Sequence, residues 1–233
     1  MPQLIAMVIV VVGAMIYMFQ TFGGTGDKIE GIAQKTSIIT EINNIKTGLK
    51  LAARSEQIGT TSTDDGAGNI TVTAANLKGL GELKYFAEQI NDQIDNNTTA
   101  TPAGSPYDKD NAYNAISFGG DNDTIGGMYI ALVANEDGVV PGIFVDFNFV
   151  GSTLIDSAGF FESQIANDLK NIAHIDRRAV AATATTTRLG AATDSAIDQR
   201  TPADTAGAAA LDSDGKFIIY FKDFGANEVV VAN

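Results

Sequence analysis

The sequence predicts an α+β protein: a long N-terminal α-helix, apolar then amphipathic, joined to a globular head built on an antiparallel β-sheet. Three observations carry that prediction. Residues 1–26 contain no Asp, Glu, Lys or Arg. Residues 27–57 place apolar side chains at three- and four-residue steps, the period of one helix face. From Met128 onward, β-branched and aromatic runs alternate with turn residues, the pattern of short strands. The expected organisation is an apolar helix over 1–26 projecting from the head, an amphipathic helix over 27–58 packed on it, and an α+β head over 59–233.

The first element centres on Leu4 to Phe19, LIAMVIVVVGAMIYMF. It is apolar all round, unlike the striped surface helix of a soluble domain. With Met1, Pro2 and Phe22 it reaches roughly the 20 residues that cross a bilayer, and Tyr17 suits an interfacial aromatic position. No Lys or Arg precedes the run, which disfavours a secretory signal peptide. Two readings fit: a single-span anchor, or a helix that lies in the membrane before assembly and in a filament core afterwards. Gly23, Gly24 and Gly26 follow. Each costs about 1 kcal/mol relative to Ala inside a helix, so a hinge or local melting is expected there.

The second element, DKIEGIAQKTSIITEINNIKTGLKLAARSEQ, carries its apolar face on Ile29, Ile32, Ile38, Ile39, Ile42, Ile45, Leu49, Ala52 and Ala53. Were both halves continuous through residue 57, the rod would measure roughly 85 Å at 1.5 Å per residue.

In the head, Gly59–Asn69 (GTTSTDDGAGN) reads as a polar loop and Ile70–Thr73 as a short strand. Leu77–Ile94 has helical spacing weakened by Gly79 and Gly81, and Asp95–Asn111 reads as surface loop. MYIALVAN and VVPGIFVDFNFV, joined through Glu136-Asp137-Gly138, predict a hairpin, with Pro141 at a strand edge or bulge. Phe160, Phe161, Ile165, Leu169 and Ile172 predict a short helix started by Asp156 or Ser157. Ala179–Ala210 is Ala- and Thr-rich loop, and FIIYF and EVVVA are closing strands. The amphipathic helix is expected to cover one face of this sheet.

Charge and composition narrow the function. With 28 acidic against 15 basic residues the net charge is −13, which argues against nucleic acid and against peripheral binding to anionic lipid. No Cys is present and His174 is the sole histidine, so disulfides, thiolate metal sites and a His-based triad have no residues to use. Asp212-Ser213-Asp214-Gly215 and Asp121-Asn122-Asp123 offer close carboxylates, but neither continues into a full calcium loop; the former reads as an Asp-Gly turn. His174 with Asp176, Arg177 and Arg178 reads as the C-terminal cap of a helix. GGTG and FGGDNDTIGG lack the Lys-Ser/Thr ending of a phosphate loop. Asn69, Asn96, Asn97 and Asn122 match the N-glycosylation acceptor pattern. No catalytic constellation, cofactor or metal site is expected.

An uncharged apolar helix, an amphipathic continuation, a polar loop and a β-rich head, in that order, resemble the type IV pilins and the type II secretion pseudopilins. The resemblance implies a type IV pilin-like fold and a structural subunit of a surface filament, a helical homopolymer built through the N-terminal helix. It implies a polymerisation core of Met1, Leu4, Ile5, Val8, Val11, Val12, Met15 and Phe19, melting at Gly23, Gly24 and Gly26, and a methylated mature N-terminus at Met1. Its partners would be copies of itself and the assembly machinery in the membrane. The subunit would lie in the inner (cytoplasmic) membrane before assembly and in an extracellular, adhesive filament afterwards. Met1 suits the type IVb branch, where Met occurs as the mature N-terminal residue, whereas Ile5, where the family usually has Glu, and the absence of the disulfide of many bacterial members depart from that pattern and suit an archaeal pilin-like subunit. A membrane-anchored pseudopilin and a single-span tethered binding protein are the alternatives.

Overall fold

The computed structural model describes residues 30–64, 70–74, 76–95, 111–115, 126–133, 136–149, 151–183 and 198–232. The chain falls into two units, Met1–Ile39 and Thr40–Asn233. Residues 30–54 form one helix, α1.

In the first unit, residues 30–39 are helical. Thr36 Oγ1 donates to the Ile32 carbonyl and Gln34 Nε2 to Glu30 Oε1, each spanning one turn. Ile38 is buried, whereas Ile32 is 63% exposed. The expected apolar face therefore excludes Ile32. Six residues before Ile38 it lies about 120° around the axis at 3.6 residues per turn, off the buried stripe.

In the second unit, α1 buries Ile42, Ile45, Leu49, Ala52 and Ala53, as the periodicity predicts. It ends in a paired-bond cap: Gln57 N donates to Ala52 O and Glu56 N to Ala53 O, with Glu56 left-handed at φ 56°. That position favours glycine. Glu56→Gly is expected to raise stability by about 0.5–1 kcal/mol, because left-handed backbone costs an ordinary residue more than glycine loses in chain entropy. Equilibrium denaturation measures it; an unchanged or lowered midpoint would refute the cap.

The segment after α1 departs from expectation. Gly59–Asp64 is a strand, β1, paired antiparallel with β2 (Ile70–Ala74). Thr60, Thr61 and Thr63 are β-branched and favour extended backbone, a preference that polarity alone conceals. The predicted helix over 77–94 is two helices, α2 (Leu77–Glu82) and α3 (Glu88–Asp95). Asn76 caps α2 by accepting from Gly79 N. Lys84 at φ 61° ends it, donating its N–H to Gly81 O while Tyr85 N reaches Leu80 O.

Five antiparallel strands follow in the spatial order β3-β4-β5-β7-β6. They are β3 (Ala112–Ala115), β4 (Met128–Val133), β5 (Gly142–Asp146), β6 (Ala173–Asp176) and β7 (Lys216–Phe221). The predicted β4–β5 hairpin forms, with Gly138 at φ 69° in its turn. Pro141 is at neither an edge nor a bulge. It stands just before Gly142, the first paired residue of β5, a strand with neighbours on both sides, so its missing N–H removes no ladder bond.

Register places Tyr113, Ile130, Val145 and Phe217 in one row across β3, β4, β5 and β7. Leu132, Ile143 and Ile219 lie on the same face, since side chains alternate with period two. Residues 40–54 of α1 cover that face: Tyr113 bonds Glu41, and Lys46 lies over Phe221. Asp176 and His174, on the other face, bond Thr205 and Asp204 of the chain before β7. Part of the Ala/Thr-rich stretch is thus structural, and Thr201 within it is fully buried.

Between β5 and β6 runs α4 (Ala158–Leu169), entered through a 3-10 turn at Ile155–Ser157. Ser157 makes no side-chain cap bond, contrary to expectation. Phe161, Ile165 and Leu169 are buried, but Phe160 is 59% exposed, because adjacent helical residues point about 100° apart. The last strand, β8 (Val231–Ala232), is shorter than the predicted EVVVA and pairs parallel with β1. Glu228 and Val230 are spent on other contacts: ion pairs, and bonds to Gly138 and Val139.

Candidate functional site

Met1, Leu4, Ile5, Val8, Val11, Val12, Met15 and Phe19, and the hinge glycines Gly23, Gly24 and Gly26, lie outside the described residues. So do Asp121, Asn122, Asp123 and the acceptor asparagines Asn69, Asn96 and Asn97. The described part of the N-terminal helix is residues 30–54, of which residues 40–54 have a seat on the head.

The seat begins with apolar burial and is oriented by polar contacts. Near its start, Tyr113 Oη donates to Glu41 Oε1 over 2.7 Å. Burial raises the Glu41 carboxyl above its usual range, partly opposed by this bond. Burial, and then the neighbouring Glu41 charge, push Tyr113 well above the usual phenol range. In this pair the phenol is the donor and a Glu41 carboxyl oxygen the acceptor. Midway, Gly48 lies against the chain between α2 and α3. A Cβ there would stand 2.2 Å from Phe86 Cδ1 and 2.8 Å from the Tyr85 carbonyl oxygen.

At the C-terminal half, Lys46, Lys50 and Arg54 recur at four-residue steps, so they line one side of the helix. Lys46 Nζ meets Asp223 Oδ2 at 2.9 Å, and Arg54 Nε meets Glu228 Oε1 at 2.5 Å. Lys50 Nζ bonds the Asp223 carbonyl at 2.9 Å and lies 3.8 Å from Glu228 Oε2. Burial works to raise the Glu228 carboxyl, but the Gly225 N–H, Arg54 and Lys50 outweigh it and hold the group below its usual range. The side of the helix opposite its buried stripe, Thr40, Asn44, Thr47 and Leu51, is exposed. Leu51, 49% exposed, is its one large apolar residue.

The described acidic motif, Asp212-Ser213-Asp214-Gly215, is engaged internally. Asp212 pairs with Arg178 at 2.9 Å, and Asp214 Oδ1 accepts from Lys216 N. Gly215 is left-handed at φ 84°, as an Asp-Gly turn before β7 requires. Among the described residues no group of three or more His, Asp or Glu is placed to hold a metal ion. His174, Asp176, Arg177 and Arg178 do not cap a helix; they belong to β6 and the turn after it. There β pairing to β7 outcompetes a further helical turn, and Arg177 reaches the fully buried Glu162 at 2.7 Å. Glu162 also accepts from Gly215 N. This network joins α4 to the head of β7 and is structural.

Sequence reading missed Gly48, Arg200, Asp223 and Glu228. The four-residue spacing of Lys46, Lys50 and Arg54 was a visible sign of a cationic side, but its acidic partners, Asp223 and Glu228, lie near the other end of the chain. Among the described residues no helix is long and apolar enough to cross a membrane. The fold defines an α+β protein with a long helix over residues 30–54 and a five-stranded antiparallel sheet. No family model, no curated protein and no solved structure matches this chain.

Proposed function

We propose that this chain is the structural subunit of a surface filament, similar to type IV pilins, that polymerises through its N-terminal apolar helix. The observation that carries the reading is the pairing of an uncharged run over 1–26 with an amphipathic helix whose residues 40–54 are seated on a five-stranded antiparallel sheet. The uncharged run suits both lipid and a packed bundle of like helices, where small residues such as Gly13 and Ala14 admit close approach. An acidic head, from a chain of net charge −13, keeps an assembled surface soluble. Ile5 cannot supply a carboxylate, so subunit register falls to apolar packing of Leu4, Ile5 and Val8 with head-to-head contacts. The partners in this reading are further copies of the chain and a membrane-bound assembly machine.

Electron microscopy of material sheared from expressing cells, with antibody to the head, tests it. Labelled filaments with helical symmetry support it; membrane-bound chain without filaments refutes it in favour of a tethered protein. Deleting residues 1–26 is expected to leave a soluble, folded monomer, because Ile42, Ile45 and Leu49 keep their sheet to cover. Light scattering and circular dichroism read this, and an aggregated or unfolded product would place the apolar run in the head's own core.

A further inference from the structure

We infer that residues 222–230 form an ionic latch whose closure holds the β1–β2 hairpin on the head, so that the hairpin is releasable while the five-stranded sheet stays folded. The inference stands apart from the filament reading and can fail without it.

Among the described strand pairings, the hairpin joins the rest of the chain through β8: β1 has β2 on one side and the two-residue β8 on the other. The chain just before β8 is what fixes β8 in place. Val230 exchanges backbone bonds with the β4–β5 turn: Gly138 N donates to its carbonyl, and its own N–H to Val139 O. Ahead of it, residues 223–228 are gripped from two sides by cations. From α1 come Lys46, Lys50 and Arg54, directed at Asp223 and Glu228. From the other side Arg200 donates to the carbonyls of Gly225 at 2.6 Å and Phe224 at 3.1 Å.

Glu228 is the keystone. It is 5% exposed, accepts from Gly225 N at 2.7 Å, and is shared by Arg54 and Lys50. Stacked Phe221 and Phe224, their centroids 5.6 Å apart, carry Lys46 and Lys50 over their rings. A disulfide could make such a closure permanent, but the chain has no Cys. An ionic closure can instead open, most readily at the part-exposed pairs of Lys46 and Lys50 with Asp223, which salt screens, and least at the buried Glu228, which salt screens little. Opening it removes β8 and leaves a two-stranded hairpin, which is marginal alone.

Amide hydrogen exchange on the full-length chain in nonionic detergent tests the latch. Glu228→Gln is expected to speed exchange of the β1, β2 and β8 amides about 10- to 100-fold, as for loss of charged hydrogen bonds, with β4, β5 and β7 changed by less than about threefold. The exposed Glu82→Gln is the control and should leave both sheets unchanged. Arg54→Gln, which removes from Glu228 one of its two cations at an exposed side chain, should show the same regional pattern at smaller amplitude, above about threefold; should Glu228→Gln fail to fold, this arm decides alone. A uniform rise over both sheets, or a hairpin no faster than about threefold in the deciding arm, overturns the inference.

Discussion

Chains carrying aspartate at Val11, and separately at Val10, are expected to form no filaments. Both positions lie in the middle of a run without any charged residue between Met1 and Gly26. An Asp at the centre of an apolar helix costs about 2.5–3.5 kcal/mol on membrane-insertion scales. A packed core of like helices offers it no better solvent, since no Lys or Arg lies on the same run to pair with it. The penalty recurs in every subunit, so a polymer feels it at each addition. Immunoblots should show the variant chains present in the membrane while electron micrographs of sheared material show no filaments. Normal filaments from both variants would remove the basis for polymerisation through this helix.

The second large effect concerns the seat of the helix. Gly48→Leu is expected to destabilise the head severely, and Gly48→Ala by about 1–3 kcal/mol, the usual cost of overpacking. A glycine inside an exposed helix normally gains about 1 kcal/mol on becoming Ala. Here the sign reverses, because the new Cβ would lie 2.2 Å from a Phe86 ring carbon and 2.8 Å from the Tyr85 carbonyl oxygen. Phe86, 6% exposed, has little room to retreat, and the carbonyl moves only with its backbone. For a head of this size each kcal/mol lowers the melting temperature by about 2–4 °C. Thermal melts should therefore place Gly48→Ala a few degrees below the natural chain and Gly48→Leu much lower. Asn44→Ala, on the exposed side of the same helix, should stay within about 0.5 kcal/mol. A Gly48→Ala chain that is equally or more stable would show that the segment between α2 and α3 does not rest on the helix.

Much of this was legible along the chain wherever one interaction dominates a local pattern. Ile42, Ile45 and Leu49 advertise a helix face, and MYIALV and GIFVD advertise strands, because burial on one side imposes a period on the sequence. Glu136-Asp137-Gly138 and Asp214-Gly215 advertise turns, because backbone at positive φ selects glycine. The residues implied by the resemblance for polymerisation and hinging, from Met1 to Gly26, rest on the sequence alone.

By itself, then, the sequence determined the helix stripe, the strands over Met128–Val133, Gly142–Asp146 and Lys216–Phe221, the acidic balance and the absence of thiol chemistry. These follow from composition and short-range period. Only the tertiary structure decided that Gly59–Asp64 pairs as a strand, that Ile32 and Phe160 face outward, and that Gly48 admits Phe86. It alone brought Glu228 to Arg54 and Lys50, and Arg177 to Glu162. Each of those outcomes depends on a neighbour supplied from a distant part of the chain. A residue's own propensity, worth a few tenths of a kcal/mol to about 1 kcal/mol, is overridden when burial or a buried ion pair at that neighbour is worth more.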